Sequence, residues 1–249
     1  MFNAVTSEPK ILRDSIDTIS QLIDEGIFKL KRDGIELIAT DRAMVAVVEF
    51  KLGAGAFDEY ACDEDKEIGI NLLNFLTILK RAGPDDKLKL QLKEDEKLEV
   101  TLKGKSTRKF AIPLLNITKE EVPPVDQLDF SASAEIRSGI IEQGIADADI
   151  VADSVMFELD EEKFKMFAEG DSSKSELVLE KGNEFLVSLN ARQSIKSRYP
   201  LDYLKKIIKA SKISDITKIN LGTDYPMRIE FMGDNISFRC ILAPRVSED

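Results

Sequence analysis

The chain of 249 residues carries 46 acidic and 35 basic side chains, a formal net charge of −11, and no histidine. The missing imidazole removes the commonest general base and transition-metal ligand, and the excess of acid argues at face value against a nucleic-acid partner. No run approaches the roughly 18 apolar residues of a membrane span and no basic-then-apolar leader opens the chain, so a cytoplasmic protein, or a nuclear one if its source has a nucleus, is expected.

Taken in chain order, residues 10 to 23 place Leu12, Ile16, Ile19, Leu22 and Ile23 on one helical stripe. Alternating runs follow from Phe28 and from Met44, with Asp33-Gly34 as the hairpin turn between two strands. A second helix starts near Asn71 and stops at Gly83-Pro84. Strands are expected from Lys87, Lys97 and Thr107. Asn116 to Asp129, rich in Pro and acid, lacks either period and reads as a surface connector. Helices near 137 to 148 and 200 to 210 then recur among strands near 154 to 159, 164 to 169, 174 to 180, 184 to 190, 215 to 221, 226 to 232 and 236 to 242.

This recurrence is a repeat. Leu12, Ile16, Phe28, Leu30, Ile35 and Leu37 have apolar counterparts 129 positions later at Ile141, Ile145, Phe157, Leu159, Phe164 and Met166. Leu90 and Leu92 map likewise to Ile219 and Leu221, and Phe75, Leu76 and Leu79 map to Tyr203, Leu204 and Ile207 at an offset of 128. A unit this long is a domain rather than a solenoid repeat. The expected fold is α+β: two similar domains of antiparallel sheets, two helices each, over 1 to 117 and 129 to 249, joined by a connector at 118 to 128.

Cys62 and Cys240 lie far apart with no metal-ligand spacing and read as buried thiols. Asp147, Asp149 and Asp153 could suggest a metal cluster, but they lack the glycine turn of a calcium loop and fall at a helix end, where aspartates serve local hydrogen bonds. No cofactor, metal or catalytic residue is expected.

The basic residues collect on the helices. Lys205, Lys206, Lys209 and Lys212 face the single acid Asp202 on the fourth, Lys80 and Arg81 end the second, Lys10 and Arg13 start the first, and Arg137 starts the third. Lysines on an outer face usually only solvate it. Their recurrence on the helices of a duplicated acidic chain suggests instead a surface that touches phosphates without reading bases.

The run AFDEYACDEDKEIGINLLNFLTILKRAGPDD from Ala56 to Asp86, LAPRV from Leu242 to Val246 and DGIELIATDRAMVAVVEF from Asp33 to Phe50 resemble the DNA sliding clamp family, the proliferating cell nuclear antigen and its archaeal equivalents. The resemblance implies the DNA clamp fold closed into a homotrimeric ring, six domains around duplex DNA, with helices lining the hole. Three copies at −11 each would then keep a basic lining inside an acidic ring. It implies a subunit interface pairing Arg108, Phe110 and Ile112 with Lys174, Leu177 and Leu179 of a neighbour. It also implies a hydrophobic groove for partner peptides: Thr40, Met44, Val45 and Val47 on one wall, Val122, Pro123 and Val125 on the rim, and Pro226, Ala243, Pro244 and Arg245 on the other wall. The implied role is a non-enzymatic processivity factor that holds DNA polymerase, flap endonuclease and DNA ligase at sequence-independent double-stranded DNA in replication and repair, after opening by an ATP-driven clamp loader. A specialised subunit of a heterotrimeric or checkpoint ring is the alternative. Asp14 and Ser20 stand where eukaryotic relatives often place lysine, which shifts the expected DNA contact toward Lys205, Lys206 and Lys209.

Overall fold

The computed structural model describes residues 1–93, 97–118 and 122–245. Lys119, Glu120 and Glu121 of the connector and Val246 of the LAPRV run lie outside the described residues. The chain divides into two compact units: Met1–Arg42 with Val48–Val122 and Gly233–Phe238, and Ala43–Val47 with Pro123–Met232 and Arg239–Asp249.

Among the described residues the first unit has nine strands: β1 (Phe2–Thr6), β2 (Glu25–Lys31), β3 (Gly34–Thr40), β4 (Ala46–Gly53), β5 (Glu59–Cys62), β6 (Lys66–Asn71), β7 (Lys87–Lys93), β8 (Lys97–Lys103) and β9 (Thr107–Pro113). Its helices are α1 (Pro9–Ile19) and α2 (Leu72–Leu79). The second unit repeats the list with β10 (Ala132–Arg137), β11 (Ser154–Leu159), β12 (Lys163–Glu169), β13 (Lys174–Glu180), β14 (Leu186–Ala191), β15 (Ile195–Pro200), β16 (Ile216–Leu221), β17 (Met227–Gly233) and β18 (Ile236–Leu242). Its helices are α3 (Ser138–Asp149) and α4 (Leu201–Ile207), the latter running into a 3-10 turn at Ile208–Lys212.

Strand order repeats term by term. The first unit orders β5-β1-β7-β8-β9 and β4-β3-β2-β6, and the second β14-β10-β16-β17-β18 and β13-β12-β11-β15. Each unit therefore holds antiparallel sheets and two helices, as the repeat implied. The apolar skeleton read from the repeat is the core: Leu12, Ile16, Phe28, Leu30, Ile35 and Leu37 are buried, as are Ile141, Ile145, Phe157, Leu159, Phe164 and Met166. Each such side chain contributes about 1.5–3 kcal/mol relative to exposure, so this skeleton outweighs any surface charge in fixing the fold.

The helices start and stop for local reasons. Pro9 occupies the first turn of α1, where its fixed φ and missing N–H cost nothing. The buried hydroxyls on that helix turn inward, Ser15 Oγ donating to the Ile11 carbonyl at 2.8 Å and Thr18 Oγ1 to that of Asp14 at 3.0 Å. Asn71 caps α2 by accepting from the Asn74 N–H at 2.9 Å. The β2–β3 turn is Arg32-Asp33, one residue earlier than expected; Gly34, at φ 148°, opens β3 opposite Lys31, and a Cβ there would sit 2.3 Å from the Leu52 carbonyl oxygen.

Some strand edges are covered. In the first unit Gly53 N–H donates to the Asn235 carbonyl at 2.8 Å beside β4. The β6 edge is met by the chain just past β9: Leu115 N–H donates to the Gly69 carbonyl at 2.9 Å, so close that a Cβ on Gly69 would lie 2.2 Å from the Leu115 oxygen. The second unit repeats the device, Arg245 N–H donating to the Arg198 carbonyl of β15 at 2.7 Å. The seven-residue β9 and β13 end their sheets with one strand neighbour each.

Candidate nucleic-acid and partner interfaces

In the first unit α1 packs on α2, and in the second α3 packs on α4. The basic residues predicted to meet phosphate stand on or beside these pairs: Lys80 and Arg81 just past α2, Lys209 and Lys212 in the 3-10 turn after α4, and Arg137, expected to start the third helix, as the last residue of β10; several are already engaged. Lys10 Nζ lies 3.0 Å from one oxygen of Asp14 and Arg13 Nε 3.1 Å from the other, with the Asp14 side chain only 12% exposed. Lys80 reaches Asp17 at 2.9 Å, and Lys205 reaches Asp149 at 2.8 Å. Lys206 lies over the Tyr203 ring at 5.4 Å. Arg81, Arg137, Lys209 and Lys212 are exposed. Asp202 in the first turn of α4 and Lys205 and Lys206 in its last both complement the helix dipole. In the 3-10 turn the three-residue repeat brings Lys209 and Lys212 over one another.

Asp149 and Asp153 each hold a cation, Lys205 and Arg245 respectively. Among the described residues no group of three or more Cys, Asp or Glu is placed to hold a metal, and no helix is long and apolar enough to cross a membrane.

The β9 and β13 edges share one burial pattern. Ile112 and Leu179 point into their own cores at 3% and 5% exposure, while Phe110 and Leu177 are half-buried. Any apolar contact at these edges therefore falls to Phe110 and Leu177, because Ile112 and Leu179 are committed to their own sheets. Arg108 is likewise engaged inside its unit, pairing with Asp86 and donating to the Arg81 carbonyl at 3.0 Å. Lys174 pairs with Glu169 at 2.5 Å.

The predicted groove residues divide. In the second unit Val47, Val125 and Ile241, 6 to 7% exposed, form a cluster with Leu128 against it. Val47 and Val125 are thus packed beneath the surface rather than lining a wall. Pro123 and Val125 form a tight turn, Val125 N–H donating to the Pro123 carbonyl at 2.7 Å. Arg228 fastens the turn, donating to the Val125 carbonyl at 2.8 Å with its guanidinium 4.9 Å over the Phe130 ring. Phe130 meets Tyr225 edge to face at 5.9 Å, next to half-buried Pro226.

Ala243 N–H donates to the Val45 carbonyl at 2.9 Å, which joins the two predicted walls by backbone; Val45, Ala243 and Pro244 are half-buried. Met44 is 72% exposed and held at φ 58°, an unusual conformation for a side-chain-bearing residue. Arg245 is exposed and pairs with Asp153 at 2.6 Å, and this hydrogen bond holds the Asp153 carboxyl below its usual range. Thr40 and Val122 belong to the first unit, Thr40 half-buried at the end of β3 and Val122 exposed. Ile241, Leu128 and Arg228 were not singled out in the sequence. A strand residue, a connector leucine and an arginine 103 positions from its carbonyl partner give no local signal.

Comparison with known proteins places this geometry. The family described as proliferating cell nuclear antigen, N-terminal domain, matches residues 1–120, and its C-terminal domain matches residues 124–246. A DNA polymerase sliding clamp of Pyrococcus furiosus is 34% identical over 248 residues, 99% of each chain, and one from Methanobrevibacter smithii is 34% identical over 253 residues, covering both chains fully. Among solved structures, the proliferating cell nuclear antigen of Thermococcus kodakaraensis superposes with a TM-score of 0.90 at 28% identity, covering 98% of this chain and 100% of its own. A PCNA2–PCNA3 complex of Sulfolobus tokodaii gives 0.90 at 25% identity, covering 98% and 99%. With both halves matched in order across nearly the whole chain, the protein belongs to the proliferating cell nuclear antigen family.

Proposed function

We propose that the protein is a DNA sliding clamp: a non-catalytic ring of three identical chains that encircles duplex DNA and holds replication and repair enzymes on it. The observation that carries this reading is a matched pair of long sheet-end strands in a strand-for-strand repeat; β5 and β14, which also end sheets, are shorter at four and six residues. Every chain offers one seven-residue edge in each unit, β9 and β13, with the same alternation of burial. Their chemistry is complementary in part, since β9 brings Lys109 with Lys105 nearby and β13 brings Glu180, while Glu176 of β13 already pairs with Lys165 at 2.8 Å. A head-to-tail contact between β9 of one chain and β13 of the next uses the same two surfaces on every chain, and closure leaves neither edge exposed. Phe110 and Leu177 supply its apolar contacts.

The helices supply the inner surface. Within 9–19, 72–81, 137–149 and 201–212 there are nine basic against six acidic side chains, a local excess of +3 in a chain of −11. Contacts to phosphate alone carry no sequence information, so no position on the duplex is a deep trap. Retention then comes from enclosure, and an attached polymerase, flap endonuclease or ligase that releases its substrate stays at high effective concentration. Those partners engage the second unit around Val45, Ala243 and Pro244, above the Val47, Val125 and Ile241 cluster, by inserting a short apolar helical turn. A clamp loader opens the ring.

Native mass measurement tests the assembly. A single species of three chains supports the reading, and a monomer at micromolar concentration contradicts it. The Sulfolobus tokodaii relative is a complex of two different chains, which favours as second reading one subunit of a mixed ring. A monomer that completes a ring only when a paralogous chain is added would establish that second reading.

A further inference from the structure

We propose that Asp14, Asp17 and Asp149 are affinity-setting residues that hold down the protein's attraction for DNA; this rests on the sliding-clamp reading above. Four of the nine cations predicted to meet phosphate are engaged by these three carboxylates. Asp14 takes both Lys10 and Arg13, at 3.0 and 3.1 Å. Asp17 of α1 takes Lys80 at the end of α2, at 2.9 Å, and Asp149 of α3 takes Lys205 of α4, at 2.8 Å. Both helix pairs thus carry one bridge that crosses from one helix to the other.

A carboxylate within 3 Å of an ammonium lies well inside the roughly 8–10 Å screening length, so an approaching phosphate feels attraction and repulsion together. Binding to such a pair releases less counterion than binding to a lone cation, which releases about 0.9 of an ion for each phosphate neutralised. The Asp149–Lys205 pair is exposed on both sides and adds little to folding stability; Asp14 and Asp17, 12% and 21% exposed, use their pairs partly to offset the cost of their own burial. Their consequence is electrostatic: the basic side chains remain on the helical surface, while their sum is held low enough for a ring retained by enclosure to move along its track.

The test uses the full-length protein in three forms: wild type, Asp14→Asn/Asp17→Asn/Asp149→Asn, and Glu161→Gln/Glu162→Gln/Glu184→Gln, a control with the same charge change at exposed sites away from the helices. Binding to a short linear duplex is measured from 50 to 300 mM salt, and diffusion along DNA is followed for protein loaded on long duplex. The aspartate variant is expected to bind roughly tenfold more tightly at low salt, to show a salt slope steeper by at least about 1, and to diffuse severalfold more slowly, while the control stays near wild type. Unchanged slope and diffusion in the aspartate variant, or an equal shift in the control, would overturn the proposal. If the triple variant does not fold, Asp149→Asn alone must steepen the slope by up to about 0.9. Retention of wild type on closed circles is scored in parallel: its loss would sink the clamp reading, whereas retention with unmoved variants would sink only this inference.

Discussion

The two units answer the same topological instruction with different surfaces. The first unit's second helix, α2, reads LLNFLTIL and carries no charge, and Thr77 and Ile78 stand where the second unit's α4 has Lys205 and Lys206. The apolar positions could not drift in this way. Phe75, Leu76 and Leu79 and their counterparts Leu204 and Ile207 are all buried, with only Tyr203 half-exposed. Large-to-small changes at such sites cost about 2–5 kcal/mol, against a few tenths for a surface charge. Selection for folding therefore holds the skeleton of a duplicated domain and leaves its charges open to functional tuning.

The comparison can be broken at several points. The largest effect is expected where the units should be interchangeable. Phe110→Asp on β9 and Leu177→Asp on β13 should each weaken assembly by roughly 100-fold or more, from the about 3–5 kcal/mol of an uncompensated buried charge. Sedimentation analysis checks this, and a trimer unaffected by either change would remove the edges from the interface. Next comes a device that only the second unit has. Arg228→Ala removes the bond to the Val125 carbonyl and the stacking on Phe130, and should cost about 1–3 kcal/mol in denaturant unfolding. No arginine stands on β8 to do the same in the first unit.

A smaller change sharpens the charge difference itself. Thr77→Lys gives exposed α2 one of the cations of α4 and should steepen the salt dependence of DNA binding by about 0.9 per engaged site. An unchanged slope would mean that this face of α2 does not meet phosphate. The smallest effect concerns the straps across β6 and β15. Asp153 has a depressed carboxyl pKa because Arg245 hydrogen-bonds it, so its contribution is present above the unfolded value near 3.9 and lost as pH falls through the folded one. Hydrogen exchange at the Arg245 amide should accelerate below about pH 4. The Leu115 amide, whose bond to Gly69 has no ion pair beside it among the described residues, should lack this transition.

Much of this architecture was legible in the chain, and its omissions have a common cause. Elements with large apolar residues at a clear period were found within a few positions. The strands β1, β5, β6, β10 and β15 were missed. β10 buries Ala132, Ala134 and Ile136, and β15 buries Ser197, so small or polar residues occupy inward positions and the alternation of apolar bulk fades. At the site, the cations were visible as sequence but their carboxylate partners were not: Asp149 is 56 positions from Lys205. Val125 reads as surface because sequence shows the connector's polarity and not the turn that Arg228 pins, while Val47, which the resemblance placed on a groove wall, packs in the cluster with Val125 and Ile241. The pairing of like with like across the repeat was the strongest signal, since it needs only spacing, whereas tertiary ion pairs need the fold first.

The most direct measurement is retention on DNA as a function of DNA topology. The protein is loaded on closed circular duplex by a clamp loader with ATP, washed at high salt, and followed after a single cut. The account predicts stable retention on the closed circle and rapid loss once the circle is linearised, because the ends open the only exit. Equal retention on closed and cut DNA would show that affinity holds the protein, and would contradict enclosure.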